Sequence, residues 1–173
     1  MKNRGFVKQL ILVWIFLLCL LFTACGNDYA KKEYNADEKI VQLEDHYAKE
    51  SSVFNPIDGG YSLTAAKFDG RQTLWTKECK EEQEIRIDFS LQLSKGTAKI
   101  VHIDNDGNVT TVIECSSDTQ PVNETKSIVC KAGQNRLKIV GYDCRDIDFT
   151  MLFDEEMLFE KSTASSSHTK TFN

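Results

Sequence analysis

The 173-residue sequence predicts an all-β fold: a two-sheet antiparallel β-sandwich of the jelly-roll or immunoglobulin-like kind, preceded by one short helix. Three observations carry that expectation. From Gln83 to Leu93, Ile85, Ile87, Phe89, Leu91 and Leu93 alternate with Arg86, Asp88, Ser90 and Gln92, so one face of a strand is buried and the other is wet. About eight short runs of this type follow one another between turn residues. No helical spacing interrupts them from Tyr61 to Phe153, so βαβ units are excluded and two packed antiparallel sheets remain.

The first element lies outside that domain. Lys2, Arg4 and Lys8 precede thirteen uninterrupted apolar residues, Leu10 to Phe22, which is the n-region and h-region pattern of a secretory signal. The uncharged run through Gly26 would make roughly 25 Å of helix, short of the ~30 Å hydrocarbon core of a bilayer. It closes on Leu21-Phe22-Thr23-Ala24-Cys25-Gly26. This string resembles the lipobox of bacterial lipoproteins, departing from it at Phe22, where that family prefers leucine. The resemblance implies that residues 1–24 are a cleaved signal peptide and that Cys25 carries a diacylglyceryl thioether and fatty acyl chains such as palmitate. Two or more chains suffice for stable attachment, since each buried methylene contributes ~0.8 kcal/mol. The expected location is therefore extracytoplasmic, on the cell membrane.

Residues 25–60 read as a lipidated tether. Gly26 to Asn35 is polar and aperiodic, whereas Ile40, Leu43 and Tyr47 recur at helical spacing and predict a helix over 36–50 with Asn35 as its cap. Asn55-Pro56 and Gly59-Gly60 are loop signals and mark the boundary of a sandwich domain over 61–160. Its strands are expected at Tyr61–Phe68, Gln72–Cys79, Gln83–Leu93, Thr97–Asp104, Asn108–Cys115, Ser127–Lys131, Arg136–Asp143 and Ile147–Phe153. The core candidates are Trp75, Ile85, Ile87, Phe89, Leu91, Leu137, Ile139, Ile147, Phe149 and Met151. Residues 161–173, small and polar, read as a disordered tail. Phe68-Asp69-Gly70, Leu74-Trp75 and Asn135 through Gly141 resemble β-sandwich domains of uncharacterised surface lipoproteins of Gram-positive bacteria. That resemblance implies architecture and location and assigns no activity.

Charge and cysteine content narrow the function classes. Of 21 basic residues three lie in residues 1–24, which hold no acidic residue, leaving 18 against 26 and a formal charge of −8 in the remainder. A general electrostatic grip on nucleic acid is excluded on that balance. With Cys19 in the signal and Cys25 lipidated, Cys79, Cys115, Cys130 and Cys144 remain as disulfide candidates with three connectivities open; bridging Cys115 to Cys130, for example, closes a loop worth ~3 kcal/mol. No Cys-x-x-Cys pair occurs, which argues against structural zinc.

Asp104, Asp106 and Asn108 alternate like the start of a calcium loop. Glycine falls fourth and Cys115 twelfth, so a hairpin turn is expected ahead of structural calcium there or at Asp143, Asp146 and Asp148. His102 is the one histidine within the predicted sandwich and is expected to be structural. No nucleophile elbow, zincin motif or phosphate loop is present, and no catalytic residue, metal ligand or cofactor is assigned. The expected function is a non-enzymatic binding or interaction module, with an envelope glycan or protein as partner. Tyr61, Trp75 and Tyr142 are the aromatics on which a sugar ring would stack. A cell-envelope hydrolase or its accessory domain, and a structural envelope lipoprotein, are the alternatives.

Overall fold

A computed structural model describes residues 26–119 and 121–154. Two helices, α1 (Gly26–Tyr34) and α2 (Asp37–Ile40), precede seven strands: β1 (His46–Ile57), β2 (Gly60–Cys79), β3 (Gln83–Gln92), β4 (Lys95–Ile103), β5 (Val109–Ser116), β6 (Val122–Cys130) and β7 (Gly133–Phe153). All pairings are antiparallel. Long β2 and β7 pair from end to end, and the far side of β7 is shared: Arg136–Arg145 meets β4 and Asp148–Phe153 meets β3.

The hydrogen-bonded network thus divides into two layers, β5-β4-β7-β2-β1 and β6-β3-β7-β2-β1, that close on each other as a β-sandwich. Ala98, Ile100, Leu137 and Ile139 of the first layer meet Leu63, Ile85, Ile87, Phe89, Leu91, Phe149 and Met151 of the second in one core. Each of these side chains larger than alanine contributes about 1.5–3 kcal/mol by leaving water.

The crease between the layers is built from residues that tolerate left-handed backbone. Ser51, Asp143 and Asp146 have positive φ, and Gly70 has φ 105°. A Cβ at Gly70 would lie 2.2 Å from the His46 carbonyl oxygen, so β1 approaches β2 there only because the side chain is absent. The Asp69 carboxylate accepts the Asp143 N–H and ties the two bends together.

Eight expected runs become six strands because the crease bends β2 and β7 without ending their pairing. Tyr61–Phe68 and Gln72–Cys79 are one strand, as are Arg136–Asp143 and Ile147–Phe153. Nine of the ten core candidates are buried; Trp75 is half-buried and packs against the core.

The expected helix over 36–50 is corrected. Helix occupies 26–34 and 37–40, α2 is capped at Ala36 without a side-chain bond, and His46 to Ile57 forms β1, including the stretch read as a loop. Pro56 is compatible with β1 because an edge strand has one side free of pairing.

The segment read as a tether is docked as well. On the outer face of the first layer, Ile40 packs with Tyr34, Val101, Ile103 and Val140 in a second cluster. Arg71, Lys99, Arg136 and Lys138 share that face and are buried. Residues 33–45 meet their charges. Glu33 pairs with Arg71, the Val41 and Gln42 carbonyls accept from Arg136, and Gln42 O and Asp45 take Lys138. The Tyr34 ring lies 4.5 Å from Lys99 Nζ, and its hydroxyl donates to Glu114 at 2.6 Å.

Candidate functional site

At the end of the sandwich away from the crease, β1 turns into β2 through Asp58 and Gly59. Gly59 takes φ 75°, and an added Cβ at Gly60 would lie 1.8 Å from the Met151 carbonyl oxygen. That close approach lets Phe153 N–H donate to Gly59 O at 2.8 Å while Asp154 N–H donates to Arg86 O at 3.2 Å. The end of β7 is therefore pinned between the β1–β2 turn and β3. Asp58, Gly59, Arg86, Asp88, Leu152, Phe153 and Asp154 line an open cleft of about 450 Å³. Asp88 is oriented by the Thr125 hydroxyl, which donates to its Oδ1.

Phe153, which lines this polar cleft, belongs to a cluster of four half-buried aromatic rings. Phe54 and Tyr61 stack at 5.8 Å and 12°, Tyr61 meets Phe153 edge-on at 6.4 Å, and Trp75 lies 5.3 Å from Phe153. The strand pattern explains the gathering. Tyr61, Phe153 and Phe54 belong to the inward-pointing rows of the second layer and Trp75 to that of the first, but they stand at the margin, where the core no longer covers them completely. Ring faces and charged hydrogen-bonding groups thus share one end of the molecule, a composition suited to ligands with both apolar and polar faces.

Two of the three expected stacking residues, Tyr61 and Trp75, fall in this cluster. Tyr142 does not: it packs on the opposite, outer face of the first layer, edge-on to Tyr34 at 5.1 Å and with Lys31 Nζ 5.9 Å from its ring. Its alternation with buried Gly141 gave no sign of which face α1 would cover. The missed residues are Phe54, Asp58, Arg86, Asp88, Phe153 and Asp154. For Phe153 and Arg86 the alternating pattern already fixed opposite faces; for Phe54 no signal existed once Asn55-Pro56 was read as loop.

The acidic clusters are tied up by their own neighbours. Asp104 accepts from the Asp106 and Asn108 N–H groups and the Asn108 amide, and pairs with Lys131 at 2.8 Å. Burial pushes its carboxyl up, but the bonds from Asn108 and Lys131 outweigh this and hold it well below the usual carboxylate range. The geometry is that of the expected turn. Asp143 pairs with Lys95, Asp146 accepts from Ser94, and Asp148 accepts from Gln92. Among the described residues no group of three or more His, Cys, Asp or Glu is placed to hold a metal ion.

His102 is buried with Nε2 3.1 Å from Asn135 Oδ1, and burial lowers its pKa despite that bond. His46 lies on β1, not on a helix. Cys79, Cys115, Cys130 and Cys144 are all buried and stand unbridged in this structure. Cys25, the segment 1–24, the end of the sandwich range at 155–160 and the tail 161–173 lie outside the described residues. Among the described residues no helix is long and apolar enough to cross a membrane.

No family model matches the chain. A 47-residue stretch is 40% identical to the KDEL-tailed cysteine endopeptidase CEP2 of Arabidopsis thaliana, covering 27% of this chain and 13% of that protein's length. Among solved structures, a carbohydrate-binding module from Cellvibrio mixtus lichenase 5A in complex with cellotriose is similar over 62% of this chain and 88% of its own, with TM-score 0.36 and 11% identity. A family 35 carbohydrate-binding module from Clostridium thermocellum follows over 64% and 99%, with TM-score 0.33 and 6% identity. The Drosophila melanogaster CENP-C cupin domain matches at TM-score 0.20 and 12% or lower identity. Likenesses this distant leave function to be argued from the residues themselves.

Proposed function

We propose that this chain is a lipid-anchored, extracytoplasmic binding module without catalysis of its own, which takes an envelope carbohydrate at the Phe153 end of the sandwich. One observation carries the reading: Phe153, which packs with the half-buried rings of Tyr61 and Trp75 and through Tyr61 with Phe54, lines a cleft together with Arg86 and three carboxylates. A pyranose ring presents C–H faces that pack on aromatic faces, and hydroxyls that bond to guanidinium and carboxylate groups. The anchor at Cys25 rests on the lipobox-like string at residues 21–26 and on the apolar run before it.

The test is a glycan-array and envelope pull-down screen with the full chain, in parallel with Cys25→Ala. Binding to an oligosaccharide that quenches Trp75 fluorescence and is lost in Tyr61→Ala supports the glycan site. Binding that survives Tyr61→Ala and Arg86→Ala overturns it, as does recovery of a protein partner with no glycan bound. Release of reducing ends from an envelope polysaccharide would replace the module by a hydrolase. Retention of Cys25→Ala on membranes after signal cleavage would remove the lipid anchor.

A further inference from the structure

We infer that Cys79 and Cys130 form a disulfide that staples the end of β2 to the end of β6, leaving Cys115 and Cys144 as free thiols. Register brings the first two together. Cys79 is the last residue of β2 and lies opposite Gly133, while Cys130 is the last residue of β6 and lies opposite Gln83 of β3. Two tight connections, 80–82 and 131–132, fold these ends onto one another. The Gln83 side-chain amide contacts Cys79 Sγ at 3.0 Å, so the residue facing Cys130 across the ladder also touches Cys79. Both cysteines are buried in the main core, 3% and 0% exposed. Burial first, and then the neighbouring Cys79 thiol, pushes the Cys130 thiol up to about 12.

The other two cysteines have different surroundings. Cys144 donates to Thr97 O at 3.2 Å at the crease. Cys115 lies opposite Ala98, whose other neighbour is Gly141, the position over which Cys144 Sγ is folded. Strand β4 therefore stands between Cys115 and Cys144, which keeps those two from bridging each other.

In the oxidation both S–H bonds break and one S–S bond forms, and the two protons end on the two thiols into which the oxidant's disulfide is split. The two electrons pass to the disulfide of a thiol–disulfide oxidant, either an oxidoreductase or oxidised glutathione, which leaves as two thiols. A thiol of pKa about 12 is a poor nucleophile at neutral pH, so the exchange belongs to the folding chain, before burial is complete. The staple closes a long loop in the unfolded chain, where cross-links are most effective in the chain-entropy account.

The inference does not rest on the glycan site, and its test is independent of location. The full chain is refolded from denaturant with reduced and oxidised glutathione, alkylated without reductant, and digested with trypsin. The expected product is Glu78–Lys80 joined to Ser127–Lys131, with Cys115 and Cys144 alkylated. Alkylation of all four cysteines, or any other linkage, overturns the assignment. As a second measurement, reductant is expected to lower the urea midpoint of the wild-type chain and leave that of Cys79→Ser/Cys130→Ser unchanged; an equal response in both overturns it too.

Discussion

Glu33 Oε2 and Arg71 Nη1 meet at 2.6 Å with the two side chains only 4% and 5% exposed, joining α1 to the outer face of the first layer. A buried ion pair is costly to break because the surviving partner keeps its charge without compensation. Glu33→Ala is therefore expected to lower stability by about 3–5 kcal/mol, read as a shift of the urea midpoint. Gln42 Oε1 accepts from Arg71 Nη2 at 2.8 Å, but a neutral amide does not replace the carboxylate charge at Nη1. A midpoint within error of wild type would show that α1 is not docked through this pair.

The same pair sets a pH dependence. Burial pushes the Glu33 carboxyl up, yet bonds from Arg71, Tyr29 and His46 together hold it below its ordinary value. A carboxyl depressed in the folded state stabilises above its unfolded pKa, and that stability is lost as pH falls through the folded value. Asp104 acts with the same sign. Acid should weaken the wild-type chain more steeply below about pH 4.5 than it weakens Glu33→Gln.

His102 opens a separate, earlier window. Burial lowers its pKa, so the folded chain holds it neutral while the unfolded chain protonates from about pH 6.5 downward. Stability present above that pH declines as the folded value is approached. In His102→Gln, denaturation midpoints between about pH 6.5 and 5 should become flat; an unchanged slope would place the titration elsewhere.

These charges also explain what was legible in the sequence and what was not. The alternation of Ile85, Ile87, Phe89 and Leu91 named the second layer's core because burial there is purely apolar. The buried face of α1 is Ala30, Glu33 and Tyr34, which carries almost no hydrophobic signal because its docking surface holds Arg71 and Lys99. Only the tertiary partner makes that face readable. Likewise β1 is mostly exposed and contributes backbone pairing more than apolar area, so neither periodicity nor composition distinguished it from a loop. Tyr61 and Trp75 were legible as aromatics; that they meet through Phe153 depends on which row of each layer reaches the open end.

Tyr61 and Tyr142 make a paired test of the proposed site. Tyr61→Ala removes the ring stacked on Phe54 and is expected to weaken glycan binding by at least about tenfold, or ~1.4 kcal/mol. Tyr142→Phe keeps the ring against Tyr34 on the far face and should leave affinity unchanged. Titration calorimetry with the oligosaccharide from the array distinguishes the two; a loss in Tyr142→Phe equal to that in Tyr61→Ala would move the site off the Phe153 end.

Gly60 tests whether the cleft is held by the backbone. An added Cβ there would lie 1.8 Å from Met151 O and 3.0 Å from Leu152 Cα, both main-chain atoms that cannot swing aside as a side chain would. Gly60→Ala must therefore push β2 away from β7 at the point where Phe153 N–H reaches Gly59 O. The expected cost is about 1–3 kcal/mol, the range for overpacking, with faster amide exchange at Phe153 and Asp154 than at the crease residue Cys144. Because Arg86 is placed by its carbonyl's bond to Asp154 N–H, ligand affinity should fall along with that protection. Uniform loss of protection across both layers would instead mean that the turn stabilises the whole sandwich and not the cleft alone.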